Sequence, residues 1–317
     1  MGVAIVSYNT AGLLRRCLQS IVADTSGPVL VVDNGNDGSA ELVRREFPGV
    51  RVRVEENRGY GAAANIAMTQ LETPYVLLLN ADTELTPRTL EALTRYLDQH
   101  PRVAIAGPRI VNAGGVYERS AHHFPTPTSL LLHARWWPGP QSRAPLAPSD
   151  QPSWRRRLGS LLGSDRNEWR ARRVDWVLGA ALAIRRDAFT AIGGFDEAYF
   201  LYQEEIDLCY RLRADGWEVH YVPAATVLHV GGASTSQRAI ETFAQFVRST
   251  QRFARLRFSR FRASGVRAVL GSVLLTRLAL ETARLASARD GAPRDRIRER
   301  AAAWRRGLAV LRERSEP

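Results

Sequence analysis

Asn80-Ala81-Asp82 follows the all-apolar run Val76 to Leu79. A buried strand that ends in a carboxylate delivers a hard oxygen ligand to the edge of a sheet, where Mg²⁺ or Mn²⁺ can bridge two phosphates; a turn or helix-capping Asp is the plainer reading. His229, in Val227-Leu228-His229-Val230-Gly231-Gly232, has apolar neighbours and reads either as a core histidine or as a second ligand completing the site of Asp82. The richest acidic segment is Tyr202-Gln203-Glu204-Glu205-Ile206-Asp207, with three carboxylates within four positions at a helix start. The helix dipole tolerates them. They also repel one another, which raises the pKa of one and suits it to act as a general base. Asp33 closes the run Val29 to Val32 and opens the turn Asn34 to Ser39, where it either accepts the ring N–H of a pyrimidine or forms an Asx turn. The stretch from Asn57 through Gly61 to Asn65 joins small residues to a helix start. That lets backbone approach a ligand and favours phosphate, although tight helix packing explains the small residues as well.

These groups need a scaffold that gathers them. The first third of the chain alternates short apolar runs (Val3 to Val6, Val29 to Val32, Val50 to Val54, Tyr75 to Leu79) with amphipathic stretches (Leu13 to Ile21, Glu41 to Phe47, Ala62 to Leu71). This is the βαβ rhythm of a parallel sheet, and the continuous run at Tyr75 marks a strand buried on both faces. Residues at the carboxyl ends of such strands share one crevice: Ser7-Tyr8-Asn9, Asp33-Asn34 and Asn80-Ala81-Asp82. Residues 124–173 are Pro-, Trp- and Arg-rich and read as a lid, a long acceptor-side binding loop or a disordered segment. Regular structure resumes at Val174, with a strand at Ala180 to Ile184 and helices at Asp187 to Ile192 and Glu204 to Asp215. The expected organisation is an α/β domain over 1–236 and a basic, amphipathic helical tail over 237–317.

At 317 residues, 45% hydrophobic and 24% charged, the chain has the composition of a folded protein with one large core and an appendage. Its net charge of +12 is carried by arginine alone. Residues 237–317 hold 19 Arg against 7 acids while residues 1–236 are balanced; such a block reads either as a site for an anionic surface, phospholipid or nucleic acid, or as a solvated face. Cys17 and Cys209 show no CxxC spacing, and a reducing compartment suits them. No uninterrupted apolar stretch approaches the ~20 residues of a membrane span. The expectation is a cytoplasmic protein, peripheral at the inner face of the membrane, with homo-oligomerisation left open.

Taken in order, Val6-Ser7-Tyr8-Asn9, Val31-Val32-Asp33-Asn34 with Asp37-Gly38-Ser39, Asn57 to Asn65, Leu78-Leu79-Asn80-Ala81-Asp82, Phe124-Pro125-Thr126, Gly179-Ala180, Gly193 to Arg211 and His229 resemble the family 2 glycosyltransferases, in particular their bacterial rhamnosyltransferase-like branch. The likeness covers roughly residues 3–236. It implies the GT-A (Rossmann-like) fold, a mostly parallel sheet flanked by helices, and a metal-dependent inverting transfer of a sugar from a nucleotide diphosphate to an acceptor hydroxyl. Donor-side residues would be Ser7, Asn9, Asp33, Asn57, Gly61, Asn65, Asn80 and Ala81. Asp82, the last position of the family's DxD motif, would hold Mg²⁺ or Mn²⁺ with His229. Asn80 stands where the family has its first Asp, and Ala81 where the branch often has Pro. Glu205 aligns with the catalytic base in a Glu204-Glu205 pair where the family has Glu-Asp, with Trp176, Gly179, Glu204 and Asp207 on the acceptor side. The implied donor is dTDP-rhamnose, with a UDP-hexose second, and the implied acceptor a glycan or lipid-linked sugar.

Two other classes compete. A sugar-1-phosphate nucleotidyltransferase would carry a Gly-rich basic loop after the first strand, and Ser7-Tyr8-Asn9-Thr10 is not one. A non-catalytic binder of anionic surfaces or nucleic acid would explain the arginine-rich tail, but the tail carries no nucleic-acid motif and no specific nucleic acid is expected.

Overall fold

The computed structural model describes residues 1–25, 27–127, 168–231, 238–287 and 292–313, so most of the loop expected over 124–173 lies outside the described residues. The continuous apolar runs form strands. β1 (Gly2–Ser7) and β2 (Val29–Asp33) are buried at every position, and β4 (Tyr75–Asn80) is buried from Val76 to Leu79. β3 (Arg51–Val54) has a mostly exposed pattern and lies at the sheet's edge. The amphipathic stretches become the crossovers α1 (Ala11–Val22), α2 (Ser39–Glu46) and α3 (Tyr60–Gln70). On α1, Leu14, Cys17, Leu18 and Ile21 fall at helical spacing along one buried stripe.

The chain continues through β5 (Thr83–Leu85), α4 (Thr89–Gln99), β6 (Val103–Val111), β7 (Tyr117–Glu118), β8 (Ala121–His122), β9 (Arg172–Val174), β10 (Trp176–Val177), β11 (Ala181–Arg185), α5 (Arg186–Ala191), α6 (Glu204–Ala214) and β12 (Glu218–His229). The sheet order is β3-β2-β1-β4-β11-β6-β12-β5, with β7 on β6 and β9 on β12; β10 pairs β8 separately. The first four strands are parallel. β11 then enters antiparallel between β4 and β6, so the architecture is mixed α/β around a mostly parallel centre. One apolar cluster on each side of the sheet fills the core: Leu14, Leu18, Leu77 and Leu93 lie in one, Met68, Leu78, Phe189 and Tyr221 in the other.

The chain divides into two compact units. The sheet unit draws on 1–124, 144–198 and 204–233; the second draws on 125–143, 199–203 and 234–317. In the second, α7 (Ala239–Arg257), α8 (Arg260–Ser287) and α9 (Ala292–Arg312) bury Phe243, Val247, Leu270, Leu274 and Trp304 together. By length and composition alone α8 is long and apolar enough to cross a membrane. The sequence shows no uninterrupted span because Arg267 and Arg277 break an otherwise apolar run.

Candidate active site

Strand register sets the site. Ser7 pairs with Asp33 across β1 and β2, and Val6 with Asn80 across β1 and β4. The polar carboxyl ends of three parallel strands therefore stand side by side. Asp33 is buried and accepts the Gly35 N–H at 3.2 Å; burial pushes its carboxyl up, Asp37 adds to this, and the Gly35 amide opposes it. Asn9 takes a left-handed conformation (φ 51°) that places its side-chain oxygen 2.9 Å from the Asn36 amide, fixing the loop after β2. Asn57 forms an Asx turn onto the Gly59 N–H at 3.1 Å.

The small residues at the start of α3 serve packing. Ala63, Ala64 and Ala67 lie in the core, and a side chain at Gly61 would meet Phe195 at 3.1 Å. Asn65 is committed to the Gly193–Phe195 turn: its amide oxygen accepts the Phe195 N–H at 2.9 Å, while its NH₂ donates to the Phe195 carbonyl and to Glu197, each at 3.0 Å. Gly194, at φ 71°, leaves room that a Cβ would close to 2.7 Å from Asn65. Asn65 thus shapes this wall by holding backbone.

Past β4, the Asn80 carbonyl accepts the Thr83 hydroxyl at 2.7 Å and Ala81 is buried, which turns the chain so that Asp82 faces β12. β5 and β12 pair with Thr83 opposite His229, and the Asp82 carbonyl accepts the Val230 N–H at 2.9 Å. His229 Nε2 lies 3.5 Å from Asp82 Oδ1, and its Nδ1 lies 3.1 Å from Glu118 Oε2 on β7. Burial works against a charged ring, but the hydrogen bonds and charges of Asp82 and Glu118 outweigh it and lift the His229 pKa to about 9.

A divalent cation fits the donor chemistry here. One carboxylate and one imidazole are a suitable partial set for Mn²⁺ or Mg²⁺, which fills its remaining positions with water and diphosphate oxygens. Among the described residues no group of three or more His, Cys, Asp and Glu side chains is arranged to enclose a cation by itself. Glu118, which the sequence reading does not single out, meets His229 Nδ1 and fixes its ring plane, the place a carboxylate takes behind metal-binding histidines.

The acidic segment resolves by burial. Asp207 is fully buried and accepts from Arg211 Nε at 2.7 Å; Arg211 in turn donates to the carbonyls of Ile192 (2.9 Å) and Gly194 (2.6 Å). Expected on the acceptor side, Asp207 instead braces the Gly193-Gly194 turn from within. Glu204 is 5% exposed. Burial first, and then the charge of Glu205, hold its carboxyl well above the ordinary range. Glu205 is the acid of this trio with a side chain partly open to the surface, and it packs 3.4 Å from where a Cβ on Gly179 would stand. The two residues before this helix, Tyr202 and Gln203, both have positive φ (67° and 70°), a strained entry of the kind found at working sites.

Tyr60 ties the two clusters together. Its hydroxyl donates to the Gly179 carbonyl at 3.4 Å. Burial, followed by the charges of Glu204, Glu205 and Asp82, raises its pKa well above that of a free phenol. Trp176 stands on β10 with its indole N–H on the His123 carbonyl at 2.9 Å and one face stacked on His122 at 4.2 Å. The structure therefore gathers Asp82, His229, Tyr60, Gly179 and Glu205 beside the carboxyl ends of β1, β2 and β4, with Asn65 and Asp207 in supporting places.

A mixed sheet with a parallel half and helices on both faces is the architecture of the GT-A class of glycosyltransferases. Solved structures of that class share the fold. A mannosyltransferase from Pyrobaculum calidifontis, in complex with GDP-Man and Mn²⁺, superposes with TM-score 0.54 at 15% identity over 98% of this chain and 85% of its own. GalNAc-T7 with UDP, GalNAc and Mn²⁺ gives 0.54 at 20% identity over 79% of this chain and 47% of its own. Residues 1–253 match the family model described as "Glycosyltransferase like family 2", and the chain belongs to that family of glycosyltransferases. It is 32% identical to the N-acetylglucosaminyl-diphospho-decaprenol L-rhamnosyltransferase of Mycobacterium tuberculosis over 79% of this chain and 82% of that protein. To the rhamnosyltransferase WbbL of Escherichia coli it is 23% identical, over 79% and 91%.

Proposed function

We propose that this protein is an inverting, metal-dependent rhamnosyltransferase that uses dTDP-rhamnose and delivers the sugar to a hydroxyl of a lipid-linked glycan. The donor and acceptor classes rest on the rhamnosyltransferase relatives. The observation that carries the chemistry is the meeting of Asp82–His229 with Tyr60, Gly179 and Glu205 on one side of the sheet.

In this reading the strand-end residues Ser7, Asn9 and Asp33, with Asn57 in the following turn, hold the nucleotide. Asn80 and Ala81 carry the chain into Asp82. Asp82 and His229 would hold Mn²⁺ or Mg²⁺, with Glu118 fixing the imidazole, and the bound cation would supply positive charge against the diphosphate leaving group. Glu205 takes the proton of the acceptor hydroxyl while that oxygen forms its bond to the anomeric carbon and the carbon–phosphate oxygen bond breaks, so the centre inverts in one displacement. Trp176 offers the open face of its indole to a sugar ring. Tyr60, neutral and hydrogen-bonded to Gly179, keeps the floor between base and cation site free of a further charge. The arginine-rich helices would keep the enzyme at an anionic membrane where a lipid-linked acceptor resides.

The test is release of nucleoside diphosphate from a panel of dTDP- and UDP-sugars with Mn²⁺ or Mg²⁺, in wild type, Asp82→Ala and Glu205→Gln. Cation-dependent release from dTDP-rhamnose, lost in both variants, is expected. Preference for a UDP-hexose would replace the donor assignment, and full activity in Glu205→Gln would remove the base.

A further inference from the structure

Within the helical unit, a cavity of about 450 Å³ opens between the last turns of α7 and the first turns of α8. Arg255, Arg260 and Arg267 line it together with Gln251, Ala263 and Ser264, and no acid does. Other arginines of this unit are neutralised: Arg248 pairs with Glu313, Arg284 and Arg300 with the buried Glu281, and Arg306 with Glu241 and Glu313. Among the described residues Arg255, Arg260 and Arg267 have neither an ion pair nor a hydrogen bond. Three uncompensated guanidiniums around one cavity repel each other, and an anion relieves that repulsion. The start of α8 adds the positive end of its dipole, and the Arg262 amide there reaches only Ser259 Oγ, at 3.4 Å.

The same helices also expose apolar side chains. Phe261, next to Arg260, is 89% exposed, and Leu256, next to Arg255, is 48% exposed. Farther along α8, Leu275 and Leu280 are also open. A basic cavity whose lining arginines have exposed aromatic and aliphatic neighbours along the chain matches a lipid interface, with phosphate at the headgroup level and apolar tips in the acyl layer. A nucleic acid would satisfy the arginines but offers nothing to Leu256 or Leu280. A helix lying along the surface suits α8 better than one crossing it, because Val266, Leu270 and Leu274 are already buried in the helical core and Arg267 and Arg277 interrupt its apolar window.

We infer that this cavity binds the phosphate headgroup of an anionic phospholipid, with Phe261 and Leu256 entering the bilayer beside it. The inference rests on the membrane-surface reading of the basic helices given above and names where that contact is made.

Full-length protein should co-sediment with vesicles of phosphatidylcholine plus phosphatidylglycerol and far less with phosphatidylcholine alone. Combined Arg255→Gln, Arg260→Gln and Arg267→Gln should weaken binding to the anionic vesicles roughly 100-fold, at about fivefold per basic residue. An equal charge change on the sheet unit, at Arg44, Arg95 and Arg102, should leave it within about threefold. Phe261→Ser should weaken vesicle binding without altering duplex DNA binding, and inorganic phosphate should not compete at concentrations that leave vesicles bound. Donor-nucleotide binding should be unchanged in the pocket variant, which also shows that it folds. Vesicle binding that survives the pocket variant overturns the site while leaving the membrane reading intact; wild type that ignores anionic vesicles overturns both. Stronger binding to duplex DNA, insensitive to Phe261→Ser, overturns the lipid assignment in favour of a nucleic acid.

Discussion

Glu204 is a carboxyl whose ionisation the fold opposes, and replacing it with glutamine should separate wild type and variant by pH. It is 5% exposed, its Oε2 has no hydrogen-bond partner among the described residues, and burial together with the Glu205 charge opposes its ionisation. In the unfolded chain a glutamate ionises near ~4.3. As pH rises past that value the unfolded state gives up a proton that the folded state retains. Stability therefore falls with pH, by up to ~1.4 kcal/mol per unit for a single proton, until the folded carboxyl itself ionises. Wild type bears this penalty, and Glu204→Gln removes it while keeping the side chain's shape. The stability gap between variant and wild type should be near zero at about pH 4 and widen in the variant's favour above it. With roughly 2–4 °C per kcal/mol for a domain of this size, calorimetry should find the variant gaining up to about 3–6 °C per pH unit above about pH 5, until the folded carboxyl ionises. A gap that does not change with pH would refute a buried neutral Glu204.

Glu118→Gln keeps the shape behind His229 but removes its anchoring charge, so Mn²⁺ affinity followed by electron paramagnetic resonance should fall ~10- to 100-fold; unaltered affinity would show that Glu118 does not position the ring. Asp207→Ala strands Arg211 next to a buried gap, and chemical denaturation should register a loss of about 3–5 kcal/mol, with a loss under about 1 kcal/mol counting against the brace. Burial lifts the Cys17 thiol to about 12, with the charges of Asp82 and Glu84 adding to it and Thr83 opposing. A thiol reagent at neutral pH should therefore leave Cys17 unlabelled in the folded protein and modify it at once in denaturant; labelling of the native protein would contradict the packing of α1 on the sheet.

Much of the sheet can be read from residue patterns because β1, β2 and β4 are buried on both faces and so appear as unbroken apolar runs. The orientation of β11 cannot. Ala180 to Ile184 reads as a strand, but nothing local distinguishes a parallel partner for β4 from the antiparallel one observed. Asp82, His229 and Glu205 stand out because each follows or interrupts an apolar pattern in a recognisable order. Glu118 does not: it occupies a two-residue strand and meets His229 across 111 positions of sequence. Tyr60 is hidden among glycines and alanines whose smallness has a packing cause. Weighing the acids of 204–207 only against each other misplaces Asp207: Arg211 one helical turn on marks its partner, but such a pair is as common on an exposed helix face, so its burial is not legible in the sequence.

The pairing of β5 with β12 carries a cost in time. Asp82 leaves the ribosome with β4 and β5, whereas His229 belongs to the last strand of the sheet. At ~5–20 residues per second, on the order of ten seconds or more separates the two. For roughly the first two-thirds of that interval β4 also waits for β11, leaving an apolar strand with one open edge in a nascent chain. A half-made chain of this kind is a client for chaperones well before its Asp82–His229 pair can form, and its yield should respond to chaperone supply more than to the stability of the finished enzyme.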